Sequence, residues 1–262
     1  MIKINGHKIN VTMFPDGTSQ VWKQSPKVLS ALDEEVWNFE WIFENEGEIF
    51  QIYQFMCLAA GLEKDPVETT LYTPYLPYAR QDKAFSNESC FALRVLEDIL
   101  LEQFDKVIVF DAHNPDFFNG DHKLYDFVNI LPTEKVRAIV AEHGVDAIVF
   151  PDKGARTRYG GLIDLPSFYA DKVREQLTGE ILGLTFEVPP PEGANILVWD
   201  DLCDGGRTFI ELSKILQPLA PKDLTLYVSH GIFSKGTGCL FSAGYSKVYT
   251  KDGLVQFNQK EE

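Results

Sequence analysis

The chain of 262 residues is 45% hydrophobic and 24% charged, with a formal net charge of −15. This is the composition of a globular chain, long enough for one large α/β domain or two ordinary ones, and it excludes a disordered polymer. The acidic balance argues against general affinity for DNA, RNA or anionic membranes, but leaves room for a locally basic pocket around a small phosphorylated ligand.

Taken in chain order, the N-terminal "MIKINGHKINVTMF" alternates polar and apolar residues and shows no secretory h-region or cleavage site. No apolar run approaches the ~20 residues of a membrane span. The segment Pro15-Asp16-Gly17 predicts a hairpin turn. The four cysteines, Cys57, Cys90, Cys203 and Cys239, form no C-x-x-C pair. Structural zinc is therefore not expected, and a reduced cytoplasmic setting is. Cys57, within "QFMCLAAGL", reads as a core residue.

Five short apolar runs read as strands: 69–79 ("TTLYTPYLPYA"), 106–113 ("KVIVFDAH"), 146–152 ("DAIVFPD"), 195–201 ("NILVWDD") and 224–231 ("LTLYVSHG"). Several lack alternation, as expected of strands covered on both faces of a parallel sheet. Pro74 and Pro77 mark the first as an irregular or edge strand. Helical spacing falls between them in "IFQIYQFMCLAAGL", in "CFALRVLEDILLEQF", where Leu93, Leu96, Leu100 and Leu101 share a face, and in "PTEKVRAIVAEHG", starting at Pro132-Thr133. Strands alternating with helices predict βαβ units and doubly wound sheets. The expected organisation is two α/β domains of related type, 1–133 and 134–262.

Each strand-like run ends in polar chemistry: Arg80-Gln81-Asp82-Lys83, Asp111-Ala112-His113, Asp152-Lys153-Gly154, Asp200-Asp201 and His230-Gly231. Ligands of open α/β sheets bind beyond the carboxyl ends of the strands. The stretch 196–216, "ILVWDDLCDGGRTFIELSKIL", combines two demands. Gly205 and Gly206 let a ligand approach the backbone, and a helix with Phe209, Leu212 and Leu216 on one face begins at Thr208. The amides of 204–208 would form an anion nest, while Asp200 and Asp201 could accept hydrogen bonds from hydroxyls nearby. A sugar phosphate satisfies both, although the string also fits an acidic strand end before a capped helix. The pattern is neither a Walker A loop nor G-x-G-x-x-G.

This D-D-x-x-D-x-G-x-T string resembles the phosphoribosyl-binding loop shared by type I phosphoribosyltransferases and phosphoribosyl pyrophosphate synthetases. The resemblance implies that Asp200 and Asp201 hold ribose hydroxyls and that Asp204, Gly205, Gly206, Arg207 and Thr208 wrap a 5-phosphate. Arg207 stands where that family usually has a small residue, and either a phosphate contact or a solvent position fits it. "PYARQDK" (77–83) resembles the ATP segment of ribose-phosphate diphosphokinases, which simple phosphoribosyltransferases lack; Arg80, Gln81 and Lys83 would then contact ATP. In the same order along the chain, "VFDAHNPDFF" resembles the family's D-L-H segment, "FPDKGARTR" its P-D-x-G-G-x-x-R segment, and "YVSHGIFSKG" its T-H-G-x-F segment.

On this likeness to the ribose-phosphate pyrophosphokinase family, the implied fold is α/β with two phosphoribosyltransferase-like domains, each a mostly parallel sheet flanked by helices. The implied cofactor is Mg²⁺, with His113 and Asp152 on the metal side. His113 is also implied in catalysis, together with Lys172 and Arg174 in "YADKVREQLTGEI", although "DKVREQL" has helical spacing as well. "MFPDGTSQVW" resembles a loop that reaches adenine from a neighbouring subunit through Phe14 and Asp16, with Thr18 in place of the usual glutamate. The expected substrates are ATP and ribose 5-phosphate, and the expected assembly is a homodimer or dimer-based oligomer. A phosphoribosyltransferase and a catalytically silent associated subunit are the alternatives. His7, His122 and His143 read as surface residues, and His230 as architectural.

Overall fold

The structure, a computed structural model, describes residues 1–84, 88–119, 124–174 and 181–257, without the side chains of residues 172–174, 181 and 182. The chain divides into two compact units, Met1–Leu131 and Pro132–Glu262.

The first unit contains strands β1 (Ile2–Ile4), β2 (His7–Lys8), β3 (Val11–Met13), β4 (Ser19–Val21), β5 (Val36–Trp41), β6 (Glu68–Thr73), β7 (Lys106–Phe110) and β8 (Asp126–Ile130), and helices α1 (Pro26–Ala31), α2 (Gly47–Gly61) and α3 (Ala92–Ile99). Its six-stranded sheet runs β2-β1-β5-β6-β7-β8, parallel from β5 to β8, with β1 antiparallel to both its neighbours. β3 and β4 form the expected hairpin, closed by Phe14 N donating to Thr18 O at 2.8 Å and Gly17 N to Phe14 O at 3.0 Å. The face shared by Leu93, Leu96, Leu100 and Leu101 is fully buried.

Two expectations fail here. β6 is an interior strand, because it ends at Thr73 and both prolines fall in the loop beyond it, where no ladder hydrogen bond is needed. Cys57 is exposed, because it lies between the inward-facing Phe55 and Ala59 of α2.

The second unit contains α4 (Thr133–His143), β9 (Ala147–Phe150), α5 (Lys153–Tyr159), β10 (Ser167–Tyr169), β11 (Asp171–Arg174), β12 (Ile181–Thr185), β13 (Asn195–Cys203), α6 (Arg207–Leu216), β14 (Asp223–Gly231), α7 (Gly238–Ser242), β15 (Lys247–Thr250) and β16 (Gly253–Leu254). The sheet order is β10-β9-β13-β14-β15-β16, parallel except for the last pair. β9 is buried throughout and β13 and β14 nearly so, which explains their unbroken apolar sequences. Strand order reverses between β9 and β13, and that switch point is where a doubly wound sheet opens a crevice at its carboxyl edge. α4 ends on Gly144 in the left-handed conformation. His143, expected at the surface, instead packs on Tyr249 and lies 2.8 Å from its hydroxyl, a contact between elements over a hundred residues apart. His230 is buried near the end of β14.

Candidate active site

The carboxyl edge of the second sheet places the glycine turn. β13 carries Asp200 and Asp201 at its end, and the chain then turns through Asp204, Gly205 and Gly206 into α6. Gly206 has φ +76°, a conformation costly for any other residue, and a Cβ there would lie 3.2 Å from Leu240 and 3.3 Å from the Cys239 sulfur. The amides of Gly205, Arg207 and Thr208 find no acceptor among the described residues. Unpaired donors at the start of a ten-residue helix, with its partial positive charge, make an anion cradle. Arg207 and Thr208 are exposed, and Arg207 makes no ion pair among the described residues.

Asp201 is 4% exposed and accepts from Arg158 of α5 at 2.9 Å. Arg158 also donates to the Tyr159 hydroxyl at 3.1 Å, and the Tyr159 ring stacks on Trp199 of β13 with centroids 4.4 Å apart. Burial works against the Arg158 charge, but Tyr159 and Asp201 outweigh it, so the guanidinium is held more firmly protonated than usual. Asp200 accepts from the Asp201 amide at 2.9 Å. Desolvation first, and then the negative charge of Asp201, push the Asp200 carboxyl well above the ordinary carboxylate range. The two acids thus differ in their surroundings: Asp201 is paired with Arg158, and the Asp200 carboxyl is raised. Beside them, burial pushes the Cys203 thiol up to about 12, so it is an inert thiol.

Asp152 begins α5, at the switch-point strand β9, and its Oδ1 accepts from the Ala155 amide at 3.0 Å. One oxygen of this carboxylate is therefore used as a helix cap. Among the described residues no cluster of three or more His, Cys, Asp or Glu side chains is placed to hold a metal ion. Lys172 and Arg174 lie on β11, paired with β12 in a hairpin, so their backbone is a strand and not a helix face. Their side chains and residues 175–180 lie outside the described residues.

In the first unit, the loops after the adjacent strands β6 and β7 meet. Asn114 Nδ2 donates to Asp82 at 2.7 Å, joining the segment that holds Arg80, Gln81 and Lys83 to the one that holds His113. Both loops contain a non-glycine residue at positive φ, Tyr78 at +63° and Asp111 at +50°. Such strain gathers where a backbone is held for function. The strained conformations are fixed by Gln81 N donating to Tyr78 O at 2.7 Å, Asp111 N to Ile130 O at 2.9 Å and Ala112 N to Asn129 Oδ1 at 2.9 Å. Tyr78 donates to Glu46, and burial followed by that carboxylate raises its hydroxyl to about 12. Arg80 is exposed and makes no hydrogen bond or ion pair among the described residues, so its forked guanidinium is available to an anion. His113 is half-buried.

On the β3–β4 hairpin, Phe14 is 41% exposed. The carboxylate of Asp16 accepts from both the Thr18 amide at 3.0 Å and its hydroxyl at 2.7 Å, which lowers its pKa. Thr18, the residue that departs from the expected glutamate, thus pins Asp16 inside the turn. Two residues at these strand ends were passed over by the reading of single strand ends. Arg158 stood unremarked within "FPDKGARTR", and its partner lies 43 residues on along the chain. Lys235 stood within "YVSHGIFSKG", and its stem lies against Gly205.

No family model matches the chain. Its relatives include ribose-phosphate pyrophosphokinases from Pyrococcus furiosus, 27% identical over 168 residues, and Pyrococcus abyssi, 29% identical over 168 residues. Each alignment covers 62% of this chain and less than two thirds of the relative, 58% and 57% respectively. The one from Thermococcus kodakarensis is 24% identical over 235 residues, 87% of this chain and 79% of that protein. In fold, the chain resembles the crystal structure of phosphoribosylpyrophosphate synthetase from Mycobacterium smegmatis, with a TM-score of 0.73 and 19% identity, over 96% of this chain and 84% of that one. The order of motifs and the named relatives agree in one direction: the chain is similar to ribose-phosphate pyrophosphokinases, and its two mostly parallel sheets share the fold of the synthetase structure.

Proposed function

We propose that this chain transfers the diphosphoryl group of ATP, taken up as its Mg²⁺ complex, to the C1 hydroxyl of ribose 5-phosphate. The hydroxyl oxygen bonds to the β-phosphorus and gives its proton to water, the bond from the β-phosphorus to the bridging oxygen breaks, and that oxygen leaves with AMP, giving phosphoribosyl pyrophosphate. The observation that carries this reading is the turn at 204–208, whose unpaired amides open α6 immediately beyond Asp200 and Asp201. A dianion on the amides and hydroxyls on the acids describe a sugar phosphate.

Such a reaction needs no covalent enzyme intermediate, so alignment and charge stabilisation are the protein's part. In this reading 134–262 is the ribose 5-phosphate side and 1–133 the ATP side. Asp204, Gly205, Gly206, Arg207 and Thr208 hold the 5-phosphate, and Asp200 and Asp201 the ribose hydroxyls. Arg80, Gln81 and Lys83 hold the ATP phosphates and adenine edge, and Phe14 and Asp16 of a neighbouring copy close on the base. Lys172 and Arg174 stabilise charge on the transferring group. Mg²⁺ takes oxygen ligands and keeps several waters beside substrate phosphates, so it needs few protein groups. Asp152 would supply a carboxylate oxygen to it, and His113 would act through water or donate to a phosphate oxygen.

The Asp82–Asn114 bridge in a second complete α/β unit favours this reaction over base transfer by a phosphoribosyltransferase, which has no use for an 80–83 loop. We further infer a homodimer or dimer-based oligomer. The outer faces of α2 and α3 offer a mostly apolar groove of about 610 Å³ lined by Ile49, Phe50, Tyr53 and Ile99, with Glu46 and Asp98 also in its lining. We place the protein in a reducing cytoplasm, where four free cysteines are at home and the product can feed nucleotide or NAD synthesis. AMP release from ATP, with and without ribose 5-phosphate, tests the reading. Release that depends on the sugar phosphate supports it. Absence of release overturns it in favour of a silent subunit, and ribose transfer to a base overturns it in favour of a phosphoribosyltransferase.

A further inference from the structure

The turn after β14 is built tightly against the strand that carries the acids. The amides of Ile232 and Phe233 both donate to Cys203 O, at 2.9 and 3.3 Å, which fastens the base of the turn to the last residue of β13. Gly236 N closes it on Phe233 O at 2.8 Å, with Phe233 at φ +48° and Gly236 at +72°. Lys235 sits at its tip. The Lys235 Cδ and Cε atoms lie 3.7 Å from the place a Cβ on Gly205 would occupy, and Cγ lies at 3.9 Å. The lysine stem therefore lies across the glycine turn, with its ammonium only ~1.5 Å beyond Cε. Lys235 is exposed and makes no hydrogen bond or ion pair among the described residues, in a chain with a net charge of −15. A lysine with no partner among the described residues, its stem beside a glycine turn whose amides have no acceptor there, can reach an anion held at that turn.

We propose that Lys235 is a phosphate-binding residue whose ammonium contacts the anion held by the amides of Gly205, Arg207 and Thr208. The inference deepens the functional reading and rests on the same turn. A Cβ on Gly205 would make only ordinary contact with the stem, so the approach does not depend on that glycine. Gly206 serves the backbone conformation. The ligand class is a phosphate monoester dianion, and free phosphate shares its chemistry.

The test is calorimetric titration of the full chain with ribose 5-phosphate, inorganic phosphate and unphosphorylated ribose, for the wild type, Lys235→Met and Lys235→Arg. Lys235→Met keeps the stem and removes the charge at an exposed position, so its thermal melt should match the wild type. Affinity for ribose 5-phosphate and for phosphate should fall roughly tenfold, the scale of one partly exposed charge-assisted contact. Lys235→Arg should restore most of it, and the salt dependence of binding should be shallower in Lys235→Met. Equal affinity of Lys235→Met and wild type for ribose 5-phosphate overturns the proposal. A wild type that takes phosphate through Lys235 but not ribose 5-phosphate overturns the sugar-phosphate reading and leaves Lys235 an anion-binding residue.

Discussion

Replacing Arg158 with Met removes one partner of the ion pair behind the acids. The side chains are 11% exposed at Arg158 and 5% at Asp201, so solvent screening weakens the pair little. Breaking a buried pair from one side leaves an uncompensated charge and costs about 3–5 kcal/mol. Here the stranded charge sits beside Asp200, which cannot relieve it. The Tyr159 hydroxyl also loses the guanidinium at 3.1 Å, a smaller effect of about 1 kcal/mol. A loss of about 4 kcal/mol, with a urea m-value of about 2 kcal/mol/M, lowers the unfolding midpoint by about 2 M. Tryptophan emission follows it, since Trp199 stacks on Tyr159. Adding Asp201→Asn to Arg158→Met removes the stranded charge and should recover about half of the loss, because residues in direct contact are not additive. A midpoint shift below about 0.5 M in the single variant refutes the reasoning. So does a double variant that loses the sum of the two single effects.

The raised Asp200 carboxyl gives a pH signature. The folded chain keeps a proton there that the unfolded chain has released, so stability falls as pH rises from the ordinary carboxylate range through Asp200's own titration. Asp200→Asn should flatten that slope in urea midpoints; an unchanged slope would assign it elsewhere. Gly206→Ala should cost about 2 kcal/mol, from positive φ and contacts at 3.2 and 3.3 Å, and should weaken ribose 5-phosphate binding. Gly205→Ala meets only the flexible Lys235 stem at 3.7 Å and should cost less than about 0.5 kcal/mol in a thermal melt. Equal losses at the two glycines would contradict the turn geometry. Lys172→Ala should lower AMP release by on the order of 10³-fold while calorimetry still detects ribose 5-phosphate binding. Near-normal turnover would remove Lys172 from the reaction.

The sequence by itself carried what local rules control. Buried parallel strands write unbroken apolar runs, so β7, β9, β13 and β14 were legible, as were the helical faces of α3 and α6 and the glycine turn between β13 and α6. Motif order carried the family resemblance. β8, with one solvated face, and β10, three half-buried residues, left too weak a pattern, and β5 showed alternation that the reading passed over. Tertiary structure decided whatever depends on partners distant in sequence. It made β6 an interior strand, turned Cys57 outward, joined His143 to Tyr249, paired Arg158 with Asp201 and laid Lys235 over Gly205. It also set the two acids apart, pairing Asp201 with Arg158 and raising the Asp200 carboxyl, because burial and nearby charges act through space and leave no mark on the order of residues.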